Sequence, residues 1–107
     1  MIREPQIKIP TSAARGEVVR VRVKIPHPME TGWRKDHHGK TVTRNRITEL
    51  NCTLGGEEVF RAEFHSGVAA NPYLTFFTEV TESGTFVFNW TEDNGRRSSI
   101  SADIEVT

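Results

Sequence analysis

Residues 17–25 read EVVRVRVKI, a stretch in which valine or isoleucine alternates with arginine or lysine from position 19 onward. Successive side chains of a β-strand point to opposite sides, so the alternation predicts a strand with one dry face and one wet face. The predicted buried side chains are Val19, Val21, Val23 and Ile25. The basic residues between them are expected on a solvated strand face rather than in a phosphate-binding groove.

Six further runs have the same period of two or are rich in β-branched and aromatic residues, and glycine, proline or asparagine occupies almost every gap. The seven runs lie at about 6–9, 17–25, 46–54, 58–64, 74–80, 84–90 and 98–106. Strands with one dry face each close a core by packing as two sheets. The sequence therefore predicts an all-β, two-sheet sandwich of about seven antiparallel strands, with turns at Gly55-Gly56, 82–84 and 92–95. The inward residues predicted from the later runs are Leu50, Cys52, Leu54, Phe60, Ala62, Phe64, Leu74, Phe76, Thr78, Val80, Phe86, Phe88, Trp90, Ile100, Ala102, Ile104 and Val106.

Length and charge limit the classes of function. The 107 residues suit a single domain, 1–107, and 14 basic residues balance 14 acidic ones, so no overall field attracts nucleic acid or an anionic membrane. We expect neither as a partner. Residues 1–5 lack an apolar run of signal-peptide length, and no later run has the length to span a bilayer.

The single cysteine, Cys52, excludes an internal disulfide and a zinc site built from several thiolates, leaving only a disulfide between chains open. Leu50 and Leu54 share its predicted face, so we expect a buried core thiol rather than a nucleophile or redox sensor.

The other residue types give little sign of catalysis. The four histidines, His27, His37, His38 and His65, are not spaced as a metal-ligand set, and we expect no metal or cofactor. No serine lies in a Gly-x-Ser-x-Gly elbow, and no glycine-rich phosphate loop occurs. The sequence therefore favours a binding protein over an enzyme.

Two connections, 26–44 and 65–73, are longer than a hairpin needs. The first contains Met29 and Trp33, which predict either a lid packed over one end of the sandwich or a partner-facing surface. The second is low in charge and ends at Tyr73. If both loops lie at the same end, they form one contact surface.

Several segments together resemble the SoxZ family, the smaller subunit of a thiosulfate-oxidising carrier complex. They are HPMETG at 27–32, RKD at 34–36, AANPY at 69–73 and ESGTF at 82–86, with IKIP at 7–10 and CTL at 52–54. The resemblance covers almost the whole chain. It implies an immunoglobulin-like sandwich that pairs with SoxY, whose flexible carboxyl-terminal arm carries sulfur intermediates on a cysteine.

The same resemblance implies a non-catalytic subunit and transient contacts with other Sox enzymes and cytochromes. If Phe77 and its neighbours form a large apolar patch, we also expect a homo-oligomer when SoxY is absent. Family members typically lack their own export signal and reach the periplasm bound to SoxY. We therefore expect a periplasmic protein that is exported with its partner.

The predicted SoxY-binding residues come from the two loops and from apolar positions on wet strand faces. The loop residues are His27, Pro28, Met29, Glu30, Gly32, Arg34, Asn71, Pro72 and Tyr73. The strand residues are Ile47, Val59, Phe77 and Val87, of which Phe77 and Val87 are the strongest candidates.

Two other functions are consistent with the sequence. An independent sugar-binding or small-ligand module would stack its ligand on Trp33 and Tyr73 and would bind with the isolated chain. A small metal-dependent oxidoreductase would use the histidines and would retain stoichiometric metal.

Overall fold

The computed structural model describes residues 5–27, 29–30, 32–64 and 71–107. Within those ranges the chain forms eight β-strands and no helix. The strands are β1 (Gln6–Lys8), β2 (Ser12–Ala13), β3 (Glu17–Lys24), β4 (Ile47–Leu54), β5 (Glu57–Glu63), β6 (Tyr73–Val80), β7 (Gly84–Glu92) and β8 (Arg97–Val106). Seven of them match the predicted runs to within two residues, so the all-β prediction is confirmed.

The strands form two sheets, in the orders β1-β3-β6 and β2-β8-β7-β4-β5. Every pairing is antiparallel except that of β2 with β8. The sequence did not predict β2, because two residues are too few to show a period. Turns at Gly55-Gly56 and 93–95 close the β4–β5 and β7–β8 hairpins as predicted, whereas the turn at 81–83 carries the chain from one sheet to the other.

The core lies between the inner faces of the two sheets. Val19, Val21 and Val23 of β3 face it, as the alternation predicts, and Phe86 and Phe88 of β7 are wholly buried. Aromatic rings join the sheets: Phe60 of β5 stacks on Phe76 of β6, with ring centroids 4.4 Å apart, and Phe88 lies 6.1 Å from Phe76. Such aromatic pairs add to the apolar burial that holds the layers together.

The predictions that Ile47 and Val59 face outward are wrong, because β-bulges shift the alternation of side chains along β4 and β5. The β4–β7 register shifts between Ile47 and Glu49, where β4 has one extra residue. That residue reverses the side to which the preceding side chain points, so Ile47 is fully buried. Val59 lies at a second bulge, opposite the step from Cys52 to Thr53, and is partly buried against the core. Neither belongs to a free outer surface.

Candidate functional site

The structure brings the ends of the two long loops together at one end of the sandwich, which we call the loop end (residues 25–27, 29–30, 32–46, 71–73 and 92–96). The Ile25 amide donates to the Pro72 carbonyl at 3.0 Å, and the Asn71 amide donates to the His27 carbonyl at 2.7 Å. The His27 amide in turn donates to Asn71 Oδ1 at 2.9 Å. Asn71 has a φ of 54°, a left-handed conformation that asparagine tolerates better than most residues.

A buried polar pair fixes the loop end. His27 Nε2 lies 2.7 Å from Glu92 Oε1, and both side chains are about nine-tenths buried. The Met29 amide donates to His27 Nδ1 at 2.9 Å. Because Nδ1 accepts a hydrogen bond, the ring proton of neutral His27 sits on Nε2 and is donated to Glu92. Both ring nitrogens are therefore occupied inside the protein.

Asn45 completes this cluster. Its side-chain amide donates to Glu92 Oε1 at 3.2 Å, and its backbone exchanges two hydrogen bonds with Glu30, at 2.8 and 2.9 Å. Its Oδ1 is buried with no partner among the described residues. The sequence alone does not indicate Asn45 or Glu92, since both lie far from His27 along the chain.

Three predicted contact residues belong to this framework instead of a free surface. His27 and Met29 are 7% and 4% exposed, and Pro72 is also buried. Met29 Sδ accepts the Ile47 amide at 3.3 Å, so Met29 packs over the end of the sandwich as a lid. These three side chains are buried in the chain alone and offer a partner little surface, and their contact with SoxY stays a prediction.

The remaining loop residues lie nearer to solvent. Trp33 is 88% exposed, and Arg34 forms a forked ion pair with Glu30, whose nearest contact is 2.7 Å. The hydrogen bond from Arg34 holds the pKa of Glu30 below its usual value. Gly32 has a φ of 91°, and a Cβ there would lie 3.3 Å from Arg44 Cβ, so the loop needs glycine at this position. Pro28, another predicted contact, lies outside the described residues.

Asp93 ties the 26–46 connection to the β7–β8 turn. Arg44 contacts the carboxylate through two nitrogens at 3.2 Å, and the Arg46 amide donates to it at 3.0 Å. The Arg44 hydrogen bond, outweighing the effect of burial, holds the pKa of Asp93 below its usual 3.8, with smaller contributions from Arg46.

Asp93→Asn is expected to lower the free energy of unfolding by about 1 kcal/mol at neutral pH, the usual contribution of such hydrogen bonds. A carboxyl whose pKa is lowered by folding stabilises the native state above its unfolded pKa and loses that effect as pH falls through the folded value. The difference between wild type and variant should therefore shrink as pH falls below about 3.8. Urea unfolding across pH measures it, and a difference independent of pH would contradict the assignment.

The two strongest strand candidates lie on opposite sides of the molecule. Phe77 of β6 is 66% exposed on the outer face of the three-stranded sheet. Val87 of β7 points outward from the five-stranded sheet and is half-buried. A single flat interface cannot include both residues.

The other histidines do not join His27. His37 and His38 are exposed in the turn at 36–39, with ring centroids 3.9 Å apart, and His65 lies outside the described residues. Across the described ranges, no three His, Cys, Asp or Glu side chains are grouped as a metal site. The same part of the chain has no helix with the length and apolarity that crossing a bilayer requires.

Cys52 lies in β4, between the neighbouring strands β5 and β7, and its side chain is fully buried. Burial raises the pKa of the thiol to about 12. The prediction of a buried core thiol is confirmed.

A protein-family model described as sulphur oxidation protein SoxZ matches residues 7–103. The chain belongs to the SoxZ family. Family membership indicates a role in sulfur oxidation. The match also confirms the resemblance predicted from the sequence segments. No significant match was found among curated proteins.

Solved structures share the fold of this SoxZ-family chain at low sequence identity. A superoxide reductase (neelaredoxin) variant from Ignicoccus hospitalis has a TM-score of 0.75 and 20% identity, covering 97% of this chain and 80% of its own. A putative superoxide reductase from Thermotoga maritima has a TM-score of 0.73 and 22% identity, covering 96% and 85%. The sulfur carrier protein SoxY from Chlorobium limicola f. thiosulfatophilum has a TM-score of 0.66 and 16% identity, covering 96% and 78%. At these identities the likeness establishes a common sandwich fold alone.

Proposed function

We propose that this SoxZ-family chain is a non-catalytic subunit that binds SoxY, and that a SoxY cysteine carries the covalent sulfur intermediates. The observation that supports this division is the burial of Cys52, the only thiol of the chain. A carrier of covalent sulfur needs a thiol that reacts with soluble donors and visiting enzymes. This chain does not offer one on its surface.

The thiolate is the form that attacks a sulfur donor, and access to it is also required. A thiol with a pKa of about 12 is ionised to only about one part in 10⁵ at pH 7. Cys52 fails both requirements, so the cargo is assigned to the partner chain.

The rest of the chain suits a rigid support. A mobile arm that visits several enzymes must start from a stiff body, and buried hydrogen bonds around His27 and Glu92 hold the loop end in one arrangement. Among the candidates for contact with SoxY, Arg34, Asn71, Tyr73 and Phe77 are exposed, and Glu30 and Gly32 are partly buried. Other Sox enzymes and cytochromes would meet the complex transiently, in the periplasm, after export together with SoxY.

The proposal is tested by mixing the purified chain with purified SoxY and adding tetrathionate. A thiolate attacks tetrathionate, forms an S-thiosulfonate adduct and releases thiosulfate. We expect a stable complex by size-exclusion chromatography with light scattering, and an adduct on the SoxY cysteine but none on Cys52 by peptide mass spectrometry.

Cys52→Ala provides the matched control, since it removes the thiol and leaves the surface unchanged. The variant complex should form and load SoxY as the wild type does. Absence of a complex, or an adduct on Cys52 of the native protein, would show the proposal to be wrong.

A further inference from the structure

The outer face of the three-stranded sheet has an unusual composition. Register pairs Lys24 with Tyr73, Arg22 with Thr75 and Arg20 with Phe77, and residues paired across a ladder point to the same side. The alternating valines of β3 are buried, so these partners face outward. We call this surface the basic sheet face; it consists of Gln6, Lys8, Val18, Arg20, Arg22, Lys24, Tyr73, Thr75, Phe77 and Glu79.

Positive charge on the basic sheet face is not balanced within the face. It contains four cations and one carboxylate, Glu79, although the chain as a whole is neutral. Lys8 lies directly opposite Arg22 in the β1–β3 ladder, an arrangement of like charges that destabilises a sheet. None of the four cations forms an ion pair with another described residue. On the outer face of the other sheet, by contrast, Arg61 is paired with Glu49 and Glu58.

Apolar side chains lie among these charges. Phe77, Val18 and Tyr73 are 66%, 60% and 55% exposed. Desolvation is the largest single effect on the Tyr73 hydroxyl and raises its pKa. Hydrogen bonds with Arg22 and Thr75 and the positive charges of Arg22 and Lys8 together outweigh it, so the pKa lies below the usual value. Aromatic residues surrounded by cations are typical of a protein-binding surface with apolar anchors and a charged rim.

The shape of the basic sheet face favours a protein over a small anion or nucleic acid. This face has two shallow depressions, one of about 200 Å³ beside Tyr73 and one of about 250 Å³ beside Arg20, and each is below the roughly 300–1,000 Å³ of common small-molecule sites. A small oxyanion would account for the cations but would leave Phe77 and Val18 uncovered. A nucleic acid is disfavoured by the neutral chain and by Glu79.

The outer edge of β6 in the three-stranded sheet also favours a protein as the partner. In the described part of the chain β6 pairs only with β3, so its other edge is open, and the strand contains neither proline nor lysine. Such an edge is a template for pairing with another polypeptide. Two strands of eight residues and one of three give only roughly 300 Å² of flat face, less than half of what a standard interface covers on each partner. The partner must therefore extend over the β6 edge or onto the loop end beside Tyr73.

We propose that the basic sheet face is the surface on which SoxY docks, through a SoxY surface that surrounds an apolar patch with carboxylates. This inference rests on the proposed function and adds to it the face and its chemistry. Phe77 fills the apolar patch, and Arg20, Arg22, Lys24 and Lys8 meet the carboxylates. Carboxylates from the partner relieve the repulsion between Lys8 and Arg22.

The test measures the affinity of purified SoxY for the full chain and for three variants by isothermal titration calorimetry at low and high salt. Phe77→Ser and Arg20→Glu should each weaken binding about tenfold or more, and Arg20→Glu should also reduce the dependence on salt. The matched control is Arg97→Glu, an exposed charge reversal on β8 of the other sheet, which should change affinity by less than about twofold. Thermal unfolding of free Arg20→Glu should match or exceed that of wild type, because the substitution lowers the charge of the face.

The possible failures are distinguishable. If wild type does not bind SoxY, the proposed function is wrong. If wild type binds and both face variants bind equally well, or if Arg97→Glu weakens binding as much, SoxY docks elsewhere and this inference is wrong. If the isolated chain binds sulfate or thiosulfate through Arg22 and Lys24 while SoxY affinity is unchanged in every variant, the face is a small-anion site instead.

Discussion

Phe86→Ala is expected to lower the free energy of unfolding by about 3–5 kcal/mol, a large fraction of the roughly 5–15 kcal/mol that holds a domain of this size together. Phe86 is fully buried in β7, between Leu54 of β4 and Ala102 of β8. Removing its ring takes away apolar burial and leaves a cavity that paired strands cannot close. Urea unfolding followed by tryptophan fluorescence measures the loss.

Phe77→Ala is the matched control for this substitution. It removes the same ring from a strand position that is 66% exposed, so it should lower the free energy of unfolding by less than about 1 kcal/mol. The loss in free energy of unfolding for Phe86→Leu should lie between these two values. This variant keeps the experiment informative if Phe86→Ala does not fold. Equal losses for Phe86→Ala and Phe77→Ala would show that the core is misassigned.

Glu92→Ala is expected to lower the free energy of unfolding by about 3 kcal/mol, because it leaves buried donors without an acceptor. The donors are His27 Nε2 and Asn45 Nδ2. The loop end should loosen with them, since His27 also bonds to Met29 and Asn71. Chemical unfolding measures the stability, and hydrogen exchange should accelerate at the Met29 and Asn71 amides.

Two other glutamate variants separate the buried pair from a general charge effect. Glu92→Gln retains an acceptor oxygen for His27 and should recover part of the loss. Glu58→Ala breaks an exposed ion pair with Arg61 and should change stability by less than about 1 kcal/mol. If Glu92→Ala lowers the free energy of unfolding no more than Glu58→Ala does, the His27–Glu92 pair does not stabilise the loop end.

Local signals were sufficient for most of the sandwich. The alternation in 17–25 placed β3 and its buried valines correctly, and Gly55-Gly56 located a hairpin, because both features depend only on neighbouring residues. Ile47 and Val59 were misplaced because a bulge adds one residue and reverses the sides beyond it. A bulge depends on the register with a partner strand, which alternation within one strand does not contain.

The candidate sites were less predictable, since they join distant parts of the chain. His27 and Glu92 are 65 residues apart, and their contact follows from where β3 ends and β7 ends. The basic residues of β3 were interpreted as a solvated face. The aromatic residues among them are not evident from the sequence, because only the register between β3 and β6 sets Phe77 beside Arg20 and Tyr73 beside Lys24. Phe77 and Val87 were grouped as one surface because sequence alone does not say which sheet a strand joins.

The short strand β2 has a consequence for the order of folding. It pairs in parallel with β8, joining Ser12 to Glu105 and Ala13 to Val106. Forming that ladder closes nearly the whole chain into one loop, and loop closure over such a separation is slow compared with zipping a hairpin. Ser12 cannot pair until Glu105 has been synthesised, so we expect this edge of the five-stranded sheet to form after the hairpins β4–β5 and β7–β8.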